Sequence, residues 1–273
     1  MEILDWVVLI FSIGFIVLYG IWKNIKNKDL QEYFKGSNKS RWWTIGISVM
    51  ATQASAITFL STPGQAYSDG MGFIQFYFGL PFAIIIISIF FLPIYHKLKV
   101  YTAYEFLEKR FNKKTRNLAS LLFLIQRGLA AGITIYAPAI IMSLILKWPL
   151  YLLIIIIGSL VTFYTLIGGT KAVNVTQKQQ MFVIFIGLFI AIYYIFKGIP
   201  KEFSLNEVLE IAGANGKLDI LNFDLDFKSR YTFWSGITGG LFLALSYFGT
   251  DQSQVQRYIS GKNLRESQKG LFF

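Results

Sequence analysis

Charge is almost absent from the long apolar stretches of this 273-residue chain, and that scarcity limits the chemistry they can carry. None of those stretches holds an Asp or Glu, which disfavours a carboxylate proton relay within them. A cation held there must be met by backbone carbonyls, hydroxyls and amides. Those are hard oxygen ligands suited to a bare alkali ion. Residues 43–67 (WTIGISVMATQASAITFLSTPGQAY) supply them, with Thr52, Ala54, Ser55, Ala56, Thr58, Ser61, Thr62, Pro63 and Gly64 in the middle of an otherwise apolar run. Such residues let a membrane helix unwind where its carbonyls face a cavity. They equally suit a helix packed tightly on its neighbours with a frayed outer end. The local pattern leaves both readings open.

Arg127 is the charged exception. It lies in FLIQRGLAAGITIYAPA, eleven residues beyond Arg116, or roughly 16 Å along a helix at ~1.5 Å per residue. A guanidinium that deep costs at least ~2.5 kcal/mol, so it needs a partner or a wet cavity. One reading is a clamp for an anionic substrate, since Arg pairs bidentately with carboxylates. The other is a structural pair with backbone carbonyls or with a carboxylate beyond residue 273. Asp251, in YFGTDQSQVQR, reads as a partner for Arg257 or as a helix cap. Tyr247 and Phe248, just before it, read as core or as a lid over a cavity. His96, beside Lys97, reads as interfacial. With no Cys, neither a disulfide framework nor a cysteine metal site exists. No nucleophile–base pair or metal cluster is visible, so an enzyme is not expected.

The elements that must position these residues are membrane helices. The chain is 54% hydrophobic and 17% aromatic, with mean hydropathy +0.51, and several runs exceed the ~18 residues of a spanning helix. Expected spans are 6–22, 43–67, 71–95, 118–146, 150–167, 181–196 and 232–248, with a further helix starting near Gln268. The first lacks a small-residue cleavage pattern and reads as a retained helix. Gly168-Gly169 read as a helix stop, and Thr176, Gln177 and Gln180 as the polar start of the next helix. Residues 103–111 (AYEFLEKRF) have the spacing of an interfacial amphipathic helix. Ser204 and Glu207 have capping-box spacing before a short helix ending near Gly213, and DILNFDLDF after it reads as irregular.

The net charge of +11 is distributed by connection. Basic residues crowd the segments after spans one, three, five and seven (Lys26, Arg41, Lys97, Arg110, Arg116, Lys171, Lys178 and Arg257 among them), while Glu2, Asp5 and Asp69 lie on the alternate side. The positive-inside rule then puts the N-terminus outside and the basic loops in the cytoplasm of a cell-membrane protein. Topology and attraction to an anionic lipid bilayer suffice for the charge, and no nucleic acid is inferred.

The chain resembles the solute:sodium symporters. The resemblance rests on SAITFLSTPGQAY, TAYEFLEKRFNKKTR, GITIYAPA, GGTKAV and GTDQSQVQRYISGKNLRESQKG, in that order and spacing across essentially the whole chain. It implies an all-α, polytopic bundle of the LeuT-type inverted-repeat fold, cut after about seven spans. In that scheme 6–22 is an extra N-terminal helix, 43–199 the first five-helix repeat and 232–273 the start of the second. It further implies that the backbone carbonyls of Ala51 and Ala54 form half of a sodium (Na+) site, completed by hydroxyls of a helix beyond residue 273. By the same resemblance Thr58, Tyr77, Arg127 and Ala130 fall at or near substrate positions, and Tyr247 and Phe248 at the inner gate. Thr58 stands where a galactose transporter has Gln, and Tyr77 and Ala130 replace a sugar-binding Glu and Asn, so a hexose pocket is not preserved. Gln177 replaces an aspartate that serves a second sodium site in some relatives, which favours 1:1 coupling.

The implied function is sodium-coupled import of a small organic solute, weakly favoured anionic, by alternating access. Two alternatives stand beside it: the sensor domain of a symporter-like receptor kinase, and an inactive fragment of a longer symporter. Oligomeric state is left open.

Overall fold

The computed structural model describes residues 3–24, 40–98, 100, 102–226 and 228–273. Its regular structure, among those residues, is helical apart from a single bridge between Ser40 and Gly261. The helices are α1 (Ile3–Asn24), α2 (Trp42–Gln53), α3 (Ala56–Asp69), α4 (Met71–Leu98), α5 (Ala103–Arg110), α6 (Lys113–Leu146), α7 (Leu150–Gly198), α8 (Leu205–Ala214), α9 (Phe233–Thr250), α10 (Gln252–Ile259) and α11 (Leu264–Phe272). Among the described residues, α4, α6 and the Thr176–Gly198 part of α7 are each long and apolar enough to cross a bilayer, and α2 with most of α3 qualifies as a fourth crossing when joined. Large apolar side chains such as Leu129, Phe182, Phe189 and Phe242 stand exposed, as lipid-facing residues do. Most of the basic segment expected after the first span lies at 25–39, outside the described residues.

Of the two readings left open for 43–67, the interrupted helix is the one observed, with α2 ending at Gln53 and α3 starting at Ala56. Two expectations are corrected. The stop expected at Gly168-Gly169 does not occur, and α7 runs unbroken for 49 residues. Glycine costs a helix only about 1 kcal/mol each, and TKAVNVTQKQQ contains no proline to remove a backbone donor. The helix expected to begin near Gln268 starts earlier, at Leu264, where the Asn263 side chain accepts from the Glu266 amide (2.9 Å).

The chain forms two compact units. The first comprises Met1–Ile57, Leu92–Met181 and Asp251–Phe273. Its centre is the packing of α2 on α11. Gly46 and Gly270 are buried where the two meet, and a Cβ on Gly270 would lie 2.7 Å from both the Ile45 Cβ and the Trp42 carbonyl. The Trp42 amide donates to the Glu266 carboxylate (2.7 Å), placing a negative charge at the start of α2. The Trp42 and Phe273 rings meet edge to face at 5.2 Å. His96, read as interfacial, is half-buried, with Nε2 3.0 Å from the Ser267 hydroxyl.

The second unit comprises Thr58–Phe91 and Phe182–Thr250. Here Gly236, Gly240 and Ala244 recur every fourth residue, giving α9 one smooth face. That face lies so close to the start of α4 that a Cβ on Gly240 would overlap the Phe76 carbonyl. The first nine residues of α4 wind as a 3-10 helix, and Ile87–Phe91 as one π turn. Between α3 and α4 the backbone turns at Gly70 (φ 82°), and the turn after α8 uses Gly216 (φ 66°). Both values favour glycine. The capping box of α8 forms as its spacing implied: Ser204 Oγ accepts from the Glu207 amide, and the Glu207 carboxylate accepts from the Ser204 amide (2.6 Å).

Candidate functional site

Within the first unit the site is built around the end of α2. In a continuous helix the Ser55 amide would donate to the Ala51 carbonyl; here it donates to the Gln53 carbonyl (3.2 Å). The chain leaves the helix at Ala54 (φ −83°, ψ 86°). Ala51 and Ala54 therefore lie where helical hydrogen bonding lapses, as carbonyls must if they are to meet a cation.

The lapse is braced by polar side chains. Gln254, fully buried on α10, brings Oε1 to 3.1 Å from the Thr52 hydroxyl, which also lies 2.6 Å from the Val49 carbonyl. One turn earlier, Ser48 donates to Gln177 Oε1 (2.8 Å), and Arg257 Nη1 donates both to Ser48 Oγ and to Gln177 Oε1, each at 3.0 Å. α2, α7 and α10 are thus tied through one guanidinium. Arg257 was a suggested partner of Asp251; the structure gives it to Ser48 and Gln177 instead.

Asp251 pairs with Arg127. Its Oδ2 accepts from Arg127 Nη2, while Oδ1 accepts from the Ser253 amide (2.9 Å) and hydroxyl (2.6 Å), so the expected cap of α10 also forms. The carboxylate is 6% exposed, so its charge is met almost wholly by protein. Arg127 thus has a carboxylate partner inside this chain. Nearby, the Ala103 amide donates to Gln252 Oε1 (2.8 Å), fixing the start of α5 to the start of α10. On α5, burial pushes the Tyr104 hydroxyl pKa up, and the Asp251 carboxylate pushes it the same way. Ala130 sits on α6 one turn beyond Arg127, its carbonyl accepting from the Thr134 hydroxyl (2.8 Å).

The second unit carries the other named residues. Tyr77 lines a cavity of about 250 Å3 with Gln65, Phe73, Phe76, Arg230 and Tyr231. Thr58 is exposed near the start of α3. Tyr247 and Phe248 lie edge to face with centroids 5.0 Å apart.

A sequence profile described as the sodium:solute symporter family matches residues 33–273. The chain belongs to the sodium:solute symporter family. It is 33% identical over 264 residues to the sodium-coupled monocarboxylate transporter 2 of Bos taurus, covering 97% of this chain and 42% of that protein. It is 34% identical over 244 residues to the human sodium-coupled monocarboxylate transporter 1 (89% and 39% covered), and 29% identical over 255 residues to the human sodium/iodide cotransporter (92% and 39%). Among solved structures it is similar to the substrate-bound outward-open state of a Na+-coupled sialic acid symporter. The TM-score there is 0.88 at 27% identity, with 99% of this chain and 56% of that one covered. The chain spans about two fifths of the length of the curated relatives it matches. As a member of this family it is an integral membrane protein, and its fold is the LeuT-type bundle that the resemblance implied.

Sequence reasoning missed Asp251 as the partner of Arg127, and Ser48 and Gln254 altogether. One signal was available. A guanidinium at depth needs a counter-charge, and Asp251 is the carboxylate directly following an expected span.

Proposed function

We propose that this chain is part of a sodium-coupled symporter that imports a small anionic organic solute by alternating access. The observation that carries the proposal is the break in the helix between Gln53 and Ala56, where the Ser55 amide turns from the Ala51 carbonyl to that of Gln53 in a stretch without carboxylates. Na+ is the coupling ion in this reading, held by the Ala51 and Ala54 carbonyls and by hydroxyls beyond residue 273. Thr58, Tyr77, Arg127 and Ala130 are assigned to the solute side, and Tyr247 and Phe248 to the inner gate. The monocarboxylate specificity in the names of two relatives supports an anionic solute. Residues 6–22 act as the extra N-terminal helix, 43–199 as the first repeat and 232–273 as the start of the second. The basic segments around Arg41 and 97–116 face the cytoplasm.

One sodium per solute fits the Ser48–Gln177–Arg257 triad, since a guanidinium 3.0 Å from Gln177 Oε1 already supplies positive charge there. Coupling is tested by equilibrium binding to the full-length protein. Sodium should tighten binding of a monocarboxylate, and the monocarboxylate should tighten sodium by the same factor. A solute Kd that ignores sodium would remove the coupling from the account.

A further inference from the structure

We propose a second solute site in the second unit, at the end lined by residues 216–222 and 229–231, taking a small organic carboxylate anchored by Arg230; the proposal rests on the transport reading above. Two cavities adjoin there. One, of about 250 Å3, is walled by Phe73, Phe76 and Tyr77. The other, of about 290 Å3, reaches Asp69 and Asp219. Gln65, Phe73, Arg230 and Tyr231 line both.

The walls are built, not incidental. Gln75 is buried beneath them at 1% exposure, its Nε2 donating to the Gly72 carbonyl (3.2 Å) and its Oε1 accepting from the Asn222 amide (2.8 Å). Gln65 Nε2 donates to the Tyr231 hydroxyl (2.9 Å). Lys217 Nζ donates to the Ser68 carbonyl (2.6 Å), and the Met71 amide to the Lys217 carbonyl (3.0 Å), so the loop is latched onto the corner between α3 and α4. Arg230 is exposed and stacks over the Tyr231 ring at 5.5 Å. Among the described residues no carboxylate forms an ion pair with it.

Charge selects the occupant and its orientation. The Arg230 guanidinium offers a planar fork that matches a carboxylate. Asp69 and Asp219 repel an anion from the second cavity, which turns the solute's apolar part toward Phe73, Phe76 and Tyr77. A cavity of 250 Å3 admits a short-chain monocarboxylate in place of several waters at ~30 Å3 each. Tyr77, assigned above to the solute side, is itself part of the cavity wall.

The test uses full-length protein, with propionate as the probe in both uptake and calorimetric binding. Arg230→Gln should raise the KM for sodium-driven uptake on the order of tenfold, with Vmax unchanged, and weaken binding in parallel. Arg230→Lys should recover part of the loss. Lys228→Gln removes the same charge from the same loop and should change neither quantity. An unchanged KM and Kd in Arg230→Gln overturn the site, as does an equal effect of Lys228→Gln, which would mark a general surface field. So does tighter binding of a zwitterionic amino acid than of propionate. If wild-type protein shows no sodium-driven uptake, the transport reading fails, and the binding arm alone then decides the site.

Discussion

Arg127 and Asp251, 124 positions apart in the chain, are ion-paired between the middle of α6 and the residue that caps α10. The pair answers how a guanidinium is held at depth, and it joins α6 to the segment following α9. Removing one partner leaves a buried charge unmet, at a cost of roughly 3–5 kcal/mol, whereas removing both leaves none. Because Arg127 keeps 29% exposure, the lower end of that range applies. Arg127→Met and Asp251→Asn should each lower the unfolding temperature of the purified protein, and the double variant should recover much of the loss. Additive losses would mean that the two side chains contribute independently.

Arg127 is also assigned to the solute. If it clamps an anionic substrate, Arg127→Ala abolishes uptake while sodium binding persists in protein that remains folded. Normal uptake by that variant rules out the clamp and leaves the ion pair with Asp251 as its role.

The close approach of α9 to α4 makes neighbouring glycines unequal. A methyl at Gly240 would overlap the Phe76 carbonyl, whereas at Gly239 nothing lies within 4 Å. Gly240→Ala should therefore destabilise the protein by about 1–3 kcal/mol. Gly239→Ala should stabilise slightly, as glycine replacement in an open helix position does. Thermal unfolding of the two variants decides it, and similar temperatures for both would show that the helices have room to part.

The Ser48–Gln177–Arg257 triad predicts a hyperbolic dependence of uptake on sodium, with a Hill coefficient of about 1. Gln177→Asp should keep that form, because Arg257 pairs with the new carboxylate before a second ion can. A sigmoidal sodium curve in Gln177→Asp would show that the position still accepts a cation.

Glu207 is held below the usual glutamate range by its hydrogen bonds to the Ser204 amide and hydroxyl. The lowered value means the capping box stabilises α8 above the ordinary glutamate range and weakens as pH falls through the depressed one. Ser204→Ala removes the hydroxyl bond and should move the Glu207 titration up toward its ordinary value, as read from the carboxyl carbon shift by NMR. An unmoved titration would locate the depression elsewhere.

Much of this was legible in sequence because it is local. The capping box at Ser204 and Glu207, the amphipathic α5 and the apolar runs each follow from residues a few positions apart. The small, hydroxylated middle of 43–67 offered a helix break as one of two readings. What was not legible depends on distant partners. Asp251 offered a cap and a nearby Arg257, and only the fold shows that Arg127 takes the pair while Arg257 reaches Ser48 and Gln177. Gly168-Gly169 misled for the opposite reason: a local stop signal yields to the helix on either side of it.

Sodium-coupled import is decided by propionate uptake into proteoliposomes holding the full-length protein, driven by an inward sodium gradient or by the same gradient of potassium. Sodium coupling predicts accumulation with sodium alone, collapsing when the gradient is dissipated. Equal uptake in potassium, or none with sodium by folded protein, would contradict it.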